Sequence, residues 1–252
     1  MIDKTFLSDI QESFNVKRFS MERNPIEGFS YSPGKPRQSW DSKDHWMIKL
    51  KSHPHIFLDE LEPDVRRFVQ KSIDFMKAFD LPLEDRYLYL TVDDRNVEQG
   101  FAQRREGWHF DGMQGSEVPT PKAGCFQFTW SNHSGTEYTN QKFKTKGLNR
   151  HSINLFDSLG NQIDDSCVKT MEPGTAYLSS PYQVHRTPVL KRSGQRKFLR
   201  LSASHQPITS TKMSLNPRIK YDYPVHSTSG EIPLGLVTLY HRKKEDHYKM
   251  VS

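Results

Sequence analysis

The stretch Arg86-Tyr87-Leu88-Tyr89-Leu90-Thr91-Val92 decides the fold, because its composition and period-two pattern are those of a β-strand. Similar short segments follow: FAQRREGWHF (101 to 110), GCFQFTW (124 to 130), INLF (153 to 156), GTAYLSS (174 to 180) and KFLRLSAS (197 to 204). Gly, Pro, Asn and Asp separate them, with SLGNQ (158 to 162) and EPGT (172 to 175) as good turn sequences. Several short strands at this spacing, preceded by one helix, predict a mainly β sandwich or barrel rather than a parallel α/β sheet.

Upstream of the strands lies the clearest helix. Glu62 and Pro63 supply its start, and Val65, Phe68, Val69, Ile73, Met76 and Phe79 recur at the spacing of one buried face. Residues 1 to 58 carry Pro25, Pro33, Pro36 and Pro54, which break any long helix, so they are predicted to wrap the core as an extended segment. The expectation is one domain over residues 1 to 252. Its parts are an N-terminal extension and packing helix to residue 85, a β core from 86 to 205 and a C-terminal extension from 206 to 252.

Composition narrows the function classes. The chain contains 34% hydrophobic residues, yet 15 Phe, 10 Tyr and 4 Trp suffice to fill a core. No apolar run approaches the roughly 20 residues of a membrane span, and the start lacks a secretory pattern, so a cytoplasmic protein is expected. Cys125 and Cys167 have no metal-type spacing and are expected to stay reduced. A formal net charge of +6 favours anionic partners without identifying them. The basic clusters at Lys142, Lys144 and Lys146, at Lys191 to Lys197 and at Arg242 to Lys244 read first as solvated faces.

Chemistry concentrates in Gly107-Trp108-His109-Phe110-Asp111-Gly112 and, about seventy residues later, Val184-His185-Arg186-Thr187-Pro188. Alternation along a strand puts His109 and Asp111 on one face, where they can chelate one cation. Two imidazoles and one carboxylate on one side of an octahedron leave open positions, the arrangement of non-haem iron(II) oxygenases. Fifteen residues after His185 comes Arg200, with Ser202 two further on. Arg196, Phe198, Arg200 and Ser202 would share a face, and a guanidinium beside a hydroxyl suits a carboxylate.

The set His109-x-Asp111, His185 and Arg200-x-Ser202, spread over residues 101 to 205, resembles the iron(II)/2-oxoglutarate dioxygenase superfamily. The resemblance implies a double-stranded β-helix, or jelly roll, of cupin-like type with flanking helices. It implies Fe(II) on His109, Asp111 and His185, 2-oxoglutarate as co-substrate on Arg200 and Ser202, and O2 as oxidant. Succinate and CO2 would be released. Arg196 matches the co-substrate arginine of the taurine dioxygenase branch and competes with Arg200, while Thr136 resembles that branch's co-substrate threonine. Halogenating relatives replace the carboxylate ligand with Gly or Ala, so retention of Asp111 points to hydroxylation.

Parity on an unbroken strand would turn Gln103 and Arg105 toward the substrate, with Trp108 on the core side. Gly112-Met113-Gln114-Gly115 is a loop suited to covering the site, and Arg186 serves either an anionic substrate group or a structural salt bridge. The leading substrate is a polar small molecule such as an amino acid, a nucleotide or a related metabolite, anionic ones included. Oxidation of a base or methyl group in nucleic acid is the alternative, on the basic balance. A non-catalytic metal- or ligand-binding barrel is the third reading.

Overall fold

The computed structural model describes residues 2 to 34, 46 to 52, 54 to 58, 61 to 104, 106 to 111, 125 to 148 and 155 to 205, with 207, 213, 214, 216 and 219. Helix α1 spans Lys4–Gln11 and is capped by Asp3, whose carboxylate accepts from Phe6 N. A 3-10 turn follows at Val16–Ser20. The first strands are β1 (Ile26–Ser30), β2 (Trp46–Lys49), β3 (Lys51–Ser52) and β4 (His55–Ile56), and then comes α2 (Pro63–Ala78). The remainder is β5 (Tyr87–Val97), β6 (Cys125–Ser131), β7 (Glu137–Thr139), α3 (Leu155–Gly160), β8 (Val168–Thr170), β9 (Thr175–Ser179), β10 (His185–Arg186), β11 (Gly194–Ser204) and β12 (Met213–Ser214).

Seven strands form one sheet in the order β1-β9-β6-β11-β5-β2-β12, and three form another in the order β10-β7-β8. A single antiparallel bridge between His109 and His185 adds the His109 segment beside β10. From β5 onward the chain visits the large sheet, the small sheet, the large, the small twice, the large, the small and the large. The strand that ends this alternation, β11, lies between β5 and β6, and β10 lies between the His109 segment and β7. That order is a jelly roll, so the fold is a mainly β double-stranded β-helix.

The large sheet has two opposed characters. Leu88, Leu90 and Val92 of β5, Phe126, Phe128 and Trp130 of β6 and Leu199, Leu201 and Ala203 of β11 join residues of α1 and α2 in the main core. Alternate residues face the small sheet, and the register aligns them in rows: Thr91, Arg200 and Thr129 in one, Tyr89, Ser202 and Gln127 in the next. Phe14, Phe19, Phe110, Phe143, Leu155, Phe156, Leu159, Tyr182 and Val184 make a second core, which holds Phe110 and Val184, the neighbours of the two histidines.

Four sequence expectations need correction. The first 58 residues do not simply wrap the core: β1 and β2 extend the large sheet at either side, since the prolines forbid a long helix but permit eight residues of α1 and short strands. Phe79 is 38% exposed because it caps α2 where the chain leaves the helix, and its ring rests on Phe75. Leu155 and Phe156 begin α3 rather than a strand, since Leu155, Phe156 and Leu159 meet the second core at helical spacing. Among the described residues, 101 to 110 do not form a continuous strand and pair only at Ala102 with Val189 and at His109 with His185. Gly107, with φ of 98°, turns the backbone between them. Among the described residues no helix is long and apolar enough to cross a membrane.

Candidate metal centre

His109 and His185 are directly opposite each other and exchange both backbone hydrogen bonds, His109 N to His185 O at 2.9 Å and His185 N to His109 O at 2.8 Å. Side chains of such a pair leave on the same face, and the ring centroids lie 4.5 Å apart. Each ring is fixed at its Nδ1: His109 Nδ1 is 3.0 Å from Gly107 O, and His185 Nδ1 is 2.8 Å from Gln183 O. A carbonyl oxygen only accepts, so each Nδ1 carries the proton and donates. In the neutral ring that leaves Nε2 as a lone pair, the tautomer a metal requires.

Asp111 receives what these rings present. Its Oδ2 lies 3.2 Å from His185 Nε2 and accepts from Gln127 Nε2, while Oδ1 is 3.4 Å from Arg200 Nη1. Burial alone would raise its carboxyl, but His185, Arg200 and His109 together hold it well below the ordinary carboxylate range. Burial, reinforced by His185, pushes His109 down to about 4, so this imidazole is neutral at neutral pH. A lone pair and a carboxylate oxygen repel at 3.2 Å unless a proton or a cation lies between them.

The donor set fits a divalent ion. Ligands about 2.1 Å from an octahedral ion are separated by about 3 Å along an edge, close to the Nε2 to Oδ2 spacing. Among the described residues, however, no three His, Cys, Asp or Glu groups stand as a finished cation cage. Asp111 is instead turned partly to Arg200 and Gln127, which neutralise and solvate its charge.

Arg200 and Arg196 are in different situations. Arg196 is 1% exposed, and its Nε donates to His133 O and Ser134 O, both at 3.0 Å, while Nη1 donates to Gln103 Oε1. Arg200 touches Asp111, and its Nε is buried with no hydrogen-bond partner among the described residues. Thr91 Oγ1, on the residue paired with Arg200, is buried and unpartnered as well. Two orphaned donors side by side on the inner face suit a ligand carboxylate. Ser202 is buried one row away, in register with Gln127. Thr136 is buried next to Gly135, where a Cβ would lie 1.6 Å from Met171 O, so the backbones there touch.

The residues expected at the substrate fare differently. Gln103 has its amide spent on Asp93 O, Asp93 Oδ1 and Arg196 O, so it braces the loop. Arg105 and the Gly112 to Gly115 loop lie outside the described residues. Arg186 donates to Glu137 at 2.6 Å and stacks over Trp108 at 4.5 Å, the structural salt bridge of its two readings. Trp108 packs against the second core. In the basic clusters, Lys197 is buried beside Asp94 rather than solvated, Lys142 pairs with Glu22, and Arg242 to Lys244 lie outside the described residues.

Thr91, Gln127 and Arg104 belong to this neighbourhood and were missed in the sequence. Parity marks the first two, as polar residues alternating with leucines and phenylalanines; Arg104 sits in a loop where parity has no meaning. Cys125, two residues before Gln127, has its thiol pushed up to about 12 by burial and by Asp111, so it stays protonated.

No protein-family model matches the sequence, and no match was found among curated proteins. Among solved structures the chain is similar to EvdO2 from Micromonospora carbonacea var. aurantiaca. The identity is 10%, over 61% of this chain and 71% of that one, with a TM-score of 0.30. The same protein complexed with 2-oxoglutarate gives 13% identity, the same coverage and a TM-score of 0.31. A likeness this slight carries no argument, and the fold stands on the strand order.

Proposed function

We propose that the protein is an iron(II)- and 2-oxoglutarate-dependent dioxygenase that hydroxylates a polar small molecule. One observation carries the reading: two imidazoles with their Nδ1 protons committed to carbonyls present Nε2 beside a partly buried carboxylate that stays ionised. His109, Asp111 and His185 would hold the ion. When bound, the metal supplies the redox chemistry by which O2 converts 2-oxoglutarate to succinate and CO2 and hydroxylates a substrate C–H bond.

The chain's own residues do the rest. Arg200 and Thr91 receive a carboxylate of the co-substrate, with Ser202 lining the adjacent row. Gln127 donates to Asp111 and keeps its carboxylate oriented once the metal is present. Phe110 and Val184, locked in the second core, keep the two histidines from turning away. Arg196 braces the loop carrying Gln103 and is not a co-substrate ligand in this reading; Thr136 supports that region through its backbone, whose carbonyl accepts from Met171 N.

The test is succinate formation by anaerobically iron-loaded protein after adding 2-oxoglutarate and oxygen, across pools of amino acids, nucleotides and oligonucleotides. Stimulation by a small-molecule pool, lost by at least about a thousandfold in Asp111→Ala, is the expected result. Stimulation confined to oligonucleotides would move the substrate to nucleic acid. Absence of 2-oxoglutarate binding to the iron-loaded protein would leave a non-catalytic barrel.

A further inference from the structure

The segment before β1 packs where the two ligand-bearing stretches meet. Phe14 lies between Phe110 and Tyr182 with its ring nearly parallel to both, at 6.1 Å and 15° from the first and 5.4 Å and 13° from the second. Phe19 meets the same two rings at steeper angles, 4.7 Å from Phe110 and 5.2 Å from Tyr182. All four rings are buried, and each stacked or edge contact is at a favourable separation.

The positions of Phe110 and Tyr182 give this packing its meaning. Phe110 stands between His109 and Asp111, so the placement of its ring governs the backbone from which both groups leave. Tyr182 precedes Gln183, whose carbonyl accepts from His185 Nδ1 and so sets the tautomer of that ring. One bridge joins the two stretches at His109 and His185. Phe14 joins them a second time, from the core side.

The segment that carries Phe14 is itself anchored by charge. Asp9, 1% exposed, accepts from Arg23 Nε at 2.5 Å, from Arg23 Nη2 at 2.7 Å and from Arg18 Nη1 at 2.9 Å. Both guanidinium groups lie over the Tyr182 ring, Arg23 at 5.2 Å and Arg18 at 5.9 Å. Asn15 N donates to the Tyr182 hydroxyl at 2.9 Å, and Phe143 N donates to Phe19 O at 2.9 Å. An insert held at so many points has little freedom to shift. Ligating groups need that restraint, because a displacement of about 0.5 Å already spoils a coordination geometry.

We infer that the N-terminal segment is part of the metal centre, with Phe14 as a positioning residue that holds His109 and Asp111 in register with His185. The inference rests on the metal centre of the reading above. By linkage, whatever tightens the ion also tightens the segment, and the reverse.

The experiment measures Fe(II) affinity by anaerobic equilibrium dialysis and amide hydrogen exchange with and without Fe(II), on the full chain. Phe14→Ala should lose about 10- to 100-fold in Fe(II) affinity, as other supports of a ligand do, and Phe14→Leu should recover part of it. Phe68→Ala, an equally large truncation in the main core, should stay within about twofold of wild type. In wild type, Fe(II) should slow exchange of the Asn15 amide about 5- to 150-fold, the usual range of coupling between two sites. Should Phe14→Ala fail to fold, Phe14→Leu and the wild-type exchange carry the test. An Fe(II) affinity in the Phe14 variants no lower than in Phe68→Ala would overturn the inference, as would Asn15 exchange indifferent to Fe(II) in a wild type that binds it. A wild type that binds no Fe(II) would instead sink the metal centre itself.

Discussion

The two faces of the seven-stranded sheet are equally dry and chemically opposite. On the outer face Leu88, Leu90, Phe126, Phe128 and Leu199 are completely buried against the helices; on the inner face Thr91, Gln127 and Ser202 are between 0% and 3% exposed. Burial of apolar surface stabilises at about 25 cal/mol per Å², whereas burial of a polar group costs free energy unless it is bonded. The outer face therefore explains why the chain folds. The inner face, with Thr91 Oγ1, Gln127 Oε1 and Arg200 Nε unpartnered among the described residues, has a cost that a ligand or ordered water relieves.

If this division is right, substitutions on the two faces should separate stability from binding. The largest stability effect belongs to the outer face: Phe128→Ala should lower the unfolding free energy by about 3 to 5 kcal/mol in a urea titration. A loss below about 1 kcal/mol would mean that the face is not the packed core described. Arg200→Gln should weaken 2-oxoglutarate binding about 10- to 100-fold with stability nearly unchanged. Arg196→Gln should do the reverse, costing about 1 to 3 kcal/mol of stability through its stranded carbonyls. Calorimetry on both variants decides which arginine is the anchor; the opposite pattern would reassign it to Arg196.

A smaller effect is expected at Thr91→Val, where one orphaned donor is removed without changing shape. Co-substrate affinity should drop about fivefold, while folding stability stays level or rises slightly, because an unsatisfied hydroxyl is gone. A pH dependence follows as well. Folding lowers His109 from 6.5 to about 4, so the unfolded chain takes up a proton that the folded chain refuses. This contribution is fully present above the ordinary imidazole range and is lost as pH falls toward 4. The melting temperature of metal-free protein should fall less over that interval in His109→Gln than in wild type.

How much of this was legible in the sequence follows from the same contrast. Period-two alternation is strong in β5, β6 and β11 because one face must be apolar, so the mainly β fold and the shared face of Arg200 and Ser202 could be read directly. His109 and Asp111 could be grouped from their two-residue spacing, whereas His185, which meets His109 across one bridge from more than seventy positions away, was joined to them only through the resemblance. Alternation carries no information where the chain leaves the strand. Gly107 turns the backbone, which invalidated parity for Gln103 and concealed Arg104. The role of the first 58 residues was hidden because strands as short as β1 and β2 gain stability only from the sheet they join. Arg196 competed with Arg200 as the co-substrate anchor in the sequence because its hydrogen bonds to Gln103 and the Ser134 turn reach residues more than sixty positions away.

The central claim, that His109, Asp111 and His185 form a metal centre, is tested most directly by anaerobic equilibrium dialysis of Fe(II) against wild type and the three single alanine variants. The account predicts about one ion per chain in wild type and at least about a tenfold loss of affinity in each variant. No iron binding by wild type, or binding that survives all three substitutions, would contradict it.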